Sequence, residues 1–265
     1  AVAEHDLIEL MIGRPLEVAF PERRAEQAEP EPVLTVSAFH GDRFGPVDLV
    51  VRKGEILGIA GAEGNGQVQF LRALAGVERA AGGCACDGAD LDTSSPLGPL
   101  RAGVVLLSGD RIGDALFPVL SVRANATVQV LRRLARLGIV PRTRERSAIE
   151  DLVQRLRVRM GSAEQPIQSL SGGNQQKVSL MRPFLRGDVK VILAEEPTQG
   201  VDVGARFDIY EARRAKADEG VAAIVKSSDP IELAGLCDRV VVMSRGRIVE
   251  EIPRSSGAKI AKGEL

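Results

Sequence analysis

Three stretches of the chain carry residues whose types and spacing suit chemistry. The first is GAEGNGQVQF, from Gly61 to Phe70. Gly61 and Gly66 have the register of a phosphate-binding loop, G-x-x-x-x-G-K-[ST]. Glycines let backbone amides come close to phosphate, and the helix that follows turns its positive end toward it. Here the lysine position is Gln67 and the hydroxyl position is Val68, so the loop lacks a charge and a metal-binding oxygen. Gly64, Asn65 and Gln69 complete the loop and the helix start. Taken alone, such a loop is more often a plain glycine turn.

The second stretch is LSGGNQQK, from Leu170 to Lys177. Ser171 stands at an N-cap position, which leaves the amides of Gly172 and Gly173 at a positive helix end with no side chain in the way. That is an anion site; the alternative is an ordinary Ser-Gly-Gly helix start. The third is VILAEEPTQGVD, from Val191 to Asp202. An apolar strand ending in carboxylates puts them at the carboxyl edge of a parallel sheet, where ligands bind. Glu195 and Glu196 suit holding Mg²⁺ through water and polarising an attacking water. Two adjacent glutamates also suit a solvated strand end.

The elements that must position these residues follow from the pattern. Leu34–Phe39 and Val47–Val51 read as strands, and Glu55–Gly61 is an apolar run ending in glycine. Gln67–Ala75 has helical spacing, so the glycine loop sits between strand and helix, as the phosphate reading requires. Val104–Leu107 and Val189–Ala194 are strand candidates. Residues 121–137 and 147–159 read as helices, the second opened by the capping box Ser147-x-x-Glu150. A helix is expected over Gly173–Phe184. Helix 203–217, strand 221–226, a short helix near 230–236, and strands 239–243 and 247–251 complete the count. Strands alternating with helices predict an α/β fold with a mainly parallel sheet. The helical block at about 115–185 interrupts the alternation and reads as an inserted helical subdomain.

Ahead of this domain, Asp6–Ile12 has helical spacing, and the segment from Arg14 to Pro32 carries four prolines and many charges. It reads as a linker. Residues 1–32 are therefore expected to be the end of a preceding domain plus linker, 33–252 the main domain, and 253–265 a tail.

The bulk numbers exclude several classes. The chain has 265 residues with a net charge of −1, so no global field favours nucleic acid. No apolar run approaches the roughly 18–20 residues of a membrane span. The first residues, AVAEHDLIEL, are acidic where a secretory signal would be basic. Cys84, Cys86 and Cys237 fit no disulfide framework, and with only His5 and His40 they make a poor zinc set; reduced thiols are expected. Aromatics are 3% with no Trp, so an aliphatic core is expected.

In this order the three stretches resemble the nucleotide-binding domain of ABC transporters. LSGGNQQK looks like the signature motif, VILAEEPT like Walker B, and GAEGNGQ like a degraded Walker A. The resemblance covers about residues 33–252. More narrowly, LSGGNQQK with EEPTQGVDVGA resembles the ATP-binding proteins of bacterial carbohydrate and nucleoside importers, which carry two such domains in tandem. The resemblance implies a P-loop, RecA-like α/β fold with an antiparallel β part near the N-terminus. It implies that this chain is the second half of a longer polypeptide, since the second domain of such proteins typically lacks the Walker A lysine.

Such domains pair head to tail, each ATP clamped between the Walker motifs of one and the signature of the other. For the chain's own site, the resemblance places Gly61, Gly64, Asn65, Gly66, Gln67, Val68 and Gln69 at the phosphates. It puts Glu195 at a metal position where aspartate is usual, Glu196 at the general base, and Ser228 in place of the switch histidine. Gly109 takes the place of the Q-loop glutamine. Phe39 is the aromatic offered for adenine, with Phe44 as competitor. For the partner's site it implies that Ser171, Gly172, Gly173, Gln175 and the D-loop Asp202 are donated intact. The implied ligands are ATP and Mg²⁺. The implied partners are the first ABC domain of the same chain, transmembrane permease subunits and, indirectly, an extracytoplasmic substrate-binding protein, with no nucleic acid. The implied place is the cytoplasmic face of the membrane. The six arginines of Arg132–Arg146 lie in the part that faces membrane subunits in this family; a solvated helix face accounts for them equally. A fully active ATPase with a rearranged site and a nucleotide-free docking scaffold stand as the alternative functions.

Overall fold

A computed structural model of the chain describes residues 20, 21 and 30–253. The helix expected at Asp6–Ile12, most of the proline-rich segment and the tail after Pro253 lie outside the described residues. Two compact units emerge. One holds both sheets and takes in residues 30–107, 188–197 and 213–253; the other is helical and takes in residues 108–187 and 198–212.

In the sheet unit, β1 (Pro32–Gly41) and β2 (Phe44–Arg52) form an antiparallel pair, with Leu34 opposite Val51 and Val36 opposite Leu49. β4 (Ala80–Cys86) pairs antiparallel on the other side of β1, and the short β5 (Ala89–Asp90) follows it, giving the order β2-β1-β4-β5. β4 was not expected: AAGGCAC has neither alternation nor β-branched residues, and pairing with β1 makes it a strand.

The second sheet has the order β10-β9-β3-β8-β7-β6. Its strands are β3 (Ile56–Ala60), β6 (Val104–Leu107), β7 (Val191–Glu195), β8 (Ala222–Lys226), β9 (Arg239–Ser244) and β10 (Arg247–Pro253). β9, β3, β8, β7 and β6 are mutually parallel, and β10 is an antiparallel edge. β3, β7 and β8 are buried at every position, which is why they read as unbroken apolar runs. The fold is the α/β fold expected, with a mainly parallel sheet, an antiparallel sheet near the N-terminus and a helical part.

Helix α1 (Gln67–Leu74) follows β3 and buries Phe70, Leu71 and Leu74 in the core. That core is mainly aliphatic, with Cys86, Met243 and three phenylalanines among it. Phe39, Phe44 and Phe70 pack with ring centroids 5.6 and 6.3 Å from Phe39 and 5.6 Å between Phe44 and Phe70. A further short helix, α2 (Leu97–Ala102), leads into β6.

In the helical unit, residues 121–137 do not form one helix. α3 (Val122–Thr127) passes into a 3₁₀ turn at Val128–Val130 and then the four-residue α4 (Leu131–Leu134). Thr127 Oγ1 lies 2.9 Å from the carbonyl of Arg123, four residues back, and shares its single hydrogen between that carbonyl and a nearer carboxylate. α5 (Arg142–Arg155) starts just after Pro141, so Ser147 stands in mid-helix and caps nothing. α6 (Gly172–Arg186) and α7 (Val203–Asp218) fall close to expectation, as does α8 (Pro230–Leu236) in the sheet unit. Among the described residues, no helix is long and apolar enough to cross a membrane. The three cysteines are free, as expected.

Candidate functional site

β3, β8 and β7 are adjacent parallel strands, so their carboxyl ends share one edge of the sheet. β3 runs into the glycine loop, β7 ends at Glu195, and β8 ends at Lys226 just before Ser228. Parallel pairing is what assembles the three segments, and Glu195 stands opposite Lys226 in the register.

The loop holds its shape with its own side chains. Gln67 is 1% exposed, and its Nε2 donates to the Ala62 carbonyl at 3.0 Å. Asn65 Nδ2 donates to the same carbonyl at 3.1 Å, and its Oδ1 accepts from the Arg245 amide at 2.8 Å. Gly61 and Gly66 have φ of +135° and +94°, and a Cβ at either would run into a backbone carbonyl, of Met243 and Arg43 respectively. Both must be glycine. Gly64, at φ +84°, has open space where its Cβ would be. The loop therefore retains an exposed, amide-rich face that suits phosphate. Val68 and Gln69 are half-buried in the first turn of α1.

The carboxylates behind it are already partnered. Arg72 on α1 donates to Glu195 twice, Nε to Oε1 at 3.1 Å and Nη2 to Oε2 at 3.5 Å. Lys226 forms an ion pair with Oε1 of Glu196. Ser228 donates to Oε2 of Glu196 from both its amide and its hydroxyl, each at 3.2 Å. Glu196 also has φ +40°, a conformation that costs a non-glycine residue about 1–3 kcal/mol and is kept by these bonds. Mg²⁺ needs near-octahedral oxygen ligands. Val68 offers none, all four carboxylate oxygens are engaged, and no group of three or more metal-ligating side chains forms among the described residues. The site does not fit the metal. Neither Arg72 nor Lys226 was singled out in the sequence, because no motif marks either position.

Phe39 is a correction. It is 1% exposed and its competitor Phe44 is 5% exposed, both within the aromatic trio of the core. β1 turns the ring inward, so neither presents a face to an adenine.

The signature residues gather separately, within the helical unit. Ser171 has an extended N-cap backbone, but its hydroxyl accepts from Asn174 Nδ2 at 2.9 Å rather than from a helix amide. Asn174 Oδ1 accepts from the Arg159 amide at 2.7 Å, and Gln175 Nε2 donates to the Leu170 carbonyl at 3.0 Å. Asp202 accepts from the Ala205 amide at 2.9 Å. Its Oδ2 borders Gly173 so closely that a Cβ there would come within 3.0 Å of it. Arg111 donates to the Gly172 carbonyl at 3.3 Å and packs on Gly200, a link no motif announced. A cavity of about 360 Å³ is lined by Arg157, Ser171, Asn174, Lys177, Asp202 and Asp208, among others. Lys177 and Arg157 both pair with Asp208, and with Arg159 the lining holds three cations against Asp202 and Asp208; Ser171 and Asp202 remain exposed.

Gly109, at the Q-loop position, carries no side chain for ligand contact. The run from Arg132 to Arg146 is mostly exposed, with Arg146 3.6 Å from Glu164.

The family model described as ABC transporter matches residues 44–199. The chain is 40% identical over 252 residues to the ribose import ATP-binding protein RbsA of Chelativorans sp. (strain BNC1), covering 95% of this chain and 50% of that protein. It is 39% identical over 253 residues to the ribose import ATP-binding protein RbsA 2 of Rhizobium meliloti (strain 1021), covering 95% and 49%. The chain thus spans about half the length of the curated relatives it matches. Among solved structures, a nucleotide-free ATP-binding cassette from an ABC transporter superposes with a TM-score of 0.70 at 18% identity, covering 85% of this chain and 93% of that one. A dimeric post-hydrolysis cassette bound to ADP and Pi gives 0.70 at 20% identity, covering 84% and 99%. A match running from the second strand through the EEPT segment, on a fold shared with solved cassettes, places this chain in the ABC transporter family.

Proposed function

We propose that this chain is the second ATP-binding half of a tandem importer protein, serving ribose, another sugar or a nucleoside. Its catalytic contribution is the half-site it donates. Ser171, Gly172, Gly173, Gln175 and Asp202 complete the ATP site of the first domain, while its own loop retains nucleotide without hydrolysing it. Its partners on this reading are that first domain and the permease subunits at the cytoplasmic face of the membrane, with a substrate-binding protein acting through them. The likeness over 95% of this chain and half of each relative supports the tandem arrangement.

The observation that carries the reading is a contrast. In the chain's own site, Glu196 is tied to Lys226 and Ser228, and a base that already accepts two donors and an ion pair is a poor acceptor for a water proton. In the donated half-site, Ser171 and Asp202 are exposed on one cavity.

The test uses the full-length protein assembled with its permease. Ser171→Arg is expected to abolish ATP hydrolysis and uptake, whereas Glu196→Gln leaves hydrolysis within about two-fold. Loss of turnover in Glu196→Gln instead supports a fully active site here. Indifference to Ser171→Arg supports a scaffold that only docks.

A further inference from the structure

The own site disagrees with the metal that its fold family implies, and the disagreement has a definite form. Two carboxylates stand at the end of β7, and each has a cation from the chain itself. Arg72, 24% exposed at its side chain, holds both oxygens of Glu195, which is 4% exposed. Lys226, 8% exposed, holds Glu196, 14% exposed. Two positive and two negative groups sum to zero before any ligand arrives. In a site of this shape with a loop lysine and a bound metal, the lysine and the metal carry the positive charge. Here Gln67 has none, and its amide is spent inside the loop on the Ala62 carbonyl.

We propose that Arg72 and Lys226 take the place of the divalent cation, so that this half binds adenine nucleotide without a metal. The inference rests on the reading of the glycine loop as a nucleotide pocket. Without these two side chains the strand end would present two bare carboxylates to a polyanionic phosphate chain, and like charges at close range repel. With them, the phosphates meet a neutral floor and the amides of the loop. A divalent cation has no purchase: to reach Glu195 it must first displace a guanidinium that makes two bonds, and Val68 offers it no oxygen. Arg72 serves this purpose better than a mobile lysine would, because its planar fork holds both carboxylate oxygens at once.

The experiment is photolabelling of the full-length protein with 8-azido-ATP, in excess Mg²⁺ and in excess EDTA, with labelled peptides mapped by mass spectrometry. Label on the half described here is expected to stay within about two-fold on going from Mg²⁺ to EDTA. Arg72→Gln frees Glu195, so its EDTA label on this half should fall by about ten-fold or more, and Mg²⁺ should restore part of it. Arg72→Lys keeps the charge and should retain most of the EDTA label, which separates loss of charge from loss of fold; thermal melting of each variant checks the fold directly. Label on this half that appears only with Mg²⁺ overturns the inference while the pocket stands as a nucleotide site. An Arg72→Gln protein that labels in EDTA like the parent also overturns it. No label on this half in either condition removes both the metal-free pocket and nucleotide retention. The donation of the signature is read separately by Ser171→Arg.

Discussion

Oδ2 of Asp202 lies against the bare α-carbon of Gly173: a Cβ built on that glycine comes within 3.0 Å of the carboxylate and within 3.0 Å of the Ala205 Cβ. A methyl group at position 173, at the start of α6, would therefore press on the start of α7 and push its neighbours back by a few tenths of an ångström. The amides of Gly172 and Gly173 lie in the first turn of α6, where four N–H groups lack intrahelical partners.

Gly173→Ala is expected to separate these two helix starts. Overpacking of this kind costs about 1–3 kcal/mol. The helical unit stays folded by circular dichroism, and ATP hydrolysis by the assembled transporter falls by about ten-fold or more. Unchanged turnover with an unchanged melting curve would refute the role given to this contact.

A buried charge network holds α3 to α5. Arg123 pairs with Glu145 and, through Nε and Nη2, with Glu164 at 2.9 and 3.1 Å, while Thr127 Oγ1 donates to Glu145 at 2.6 Å. Arg123 and Glu145 are 8% and 5% exposed. Removing one partner of a buried pair leaves the other charge stranded, so Arg123→Ala should destabilise by about 3–5 kcal/mol. Thr127→Val should cost about 1–3 kcal/mol, because Glu145 loses a donor. Urea titration of both variants measures the two values.

The same network has an acid signature. The hydrogen bond from Arg123 holds the Glu164 carboxyl below its ordinary value of 4.5. A depressed carboxylate contributes stability that is complete above that ordinary value and is lost as pH falls through the lower, folded-state one. Melting temperatures of the parent should drop in acid more steeply than those of Glu164→Gln. Parallel curves would show that this pair contributes nothing measurable.

Burial pushes the Cys84 thiol up from its ordinary 9.0 to about 12, and it raises Cys86 and the fully enclosed Cys237 as well. The thiolate is the nucleophile, so at pH 8 the folded protein should resist iodoacetamide at all three positions and react at all three in denaturant. A raised pKa also means stability that is present below 9.0 and lost as pH climbs toward about 12. Rapid alkylation of the half-buried Cys84 in the native protein would contradict the upward shift of its pKa.

Much of this molecule is determined by local order in the chain. Val191–Glu195 is a strand with its carboxylate at the carboxyl end because an unbroken apolar run can only be covered on both faces. Ser-Gly-Gly opens α6 because Ser171 takes the extended backbone of an N-cap and the two glycines leave room for the close approach of Gly200 and Asp202. Gly61 and Gly66 are needed because their positive φ and the neighbouring carbonyls exclude any side chain. Each is marked in the chain by residues a few positions apart, which is the range that spacing reports.

What lies beyond that range was decided by the tertiary structure alone. β4 became a strand because β1 offered it an edge, against its own weak propensity. Phe39, plausible as a ligand platform from its place in the chain, went into the core because a register shift between Val36 and Phe39, with Ala38 at φ +47°, breaks the alternation of β1 and turns it toward Phe44 and Phe70. Arg72 and Glu195 are separated by 123 positions, and Lys226 and Glu196 by 30. Adjacent parallel strands and the helix after β3 bring them together, and whether a carboxylate binds a metal or an arginine depends on which charge the fold delivers to it. No spacing rule contains that information, because a charge pair is a fact of distance in space and not of distance along the chain.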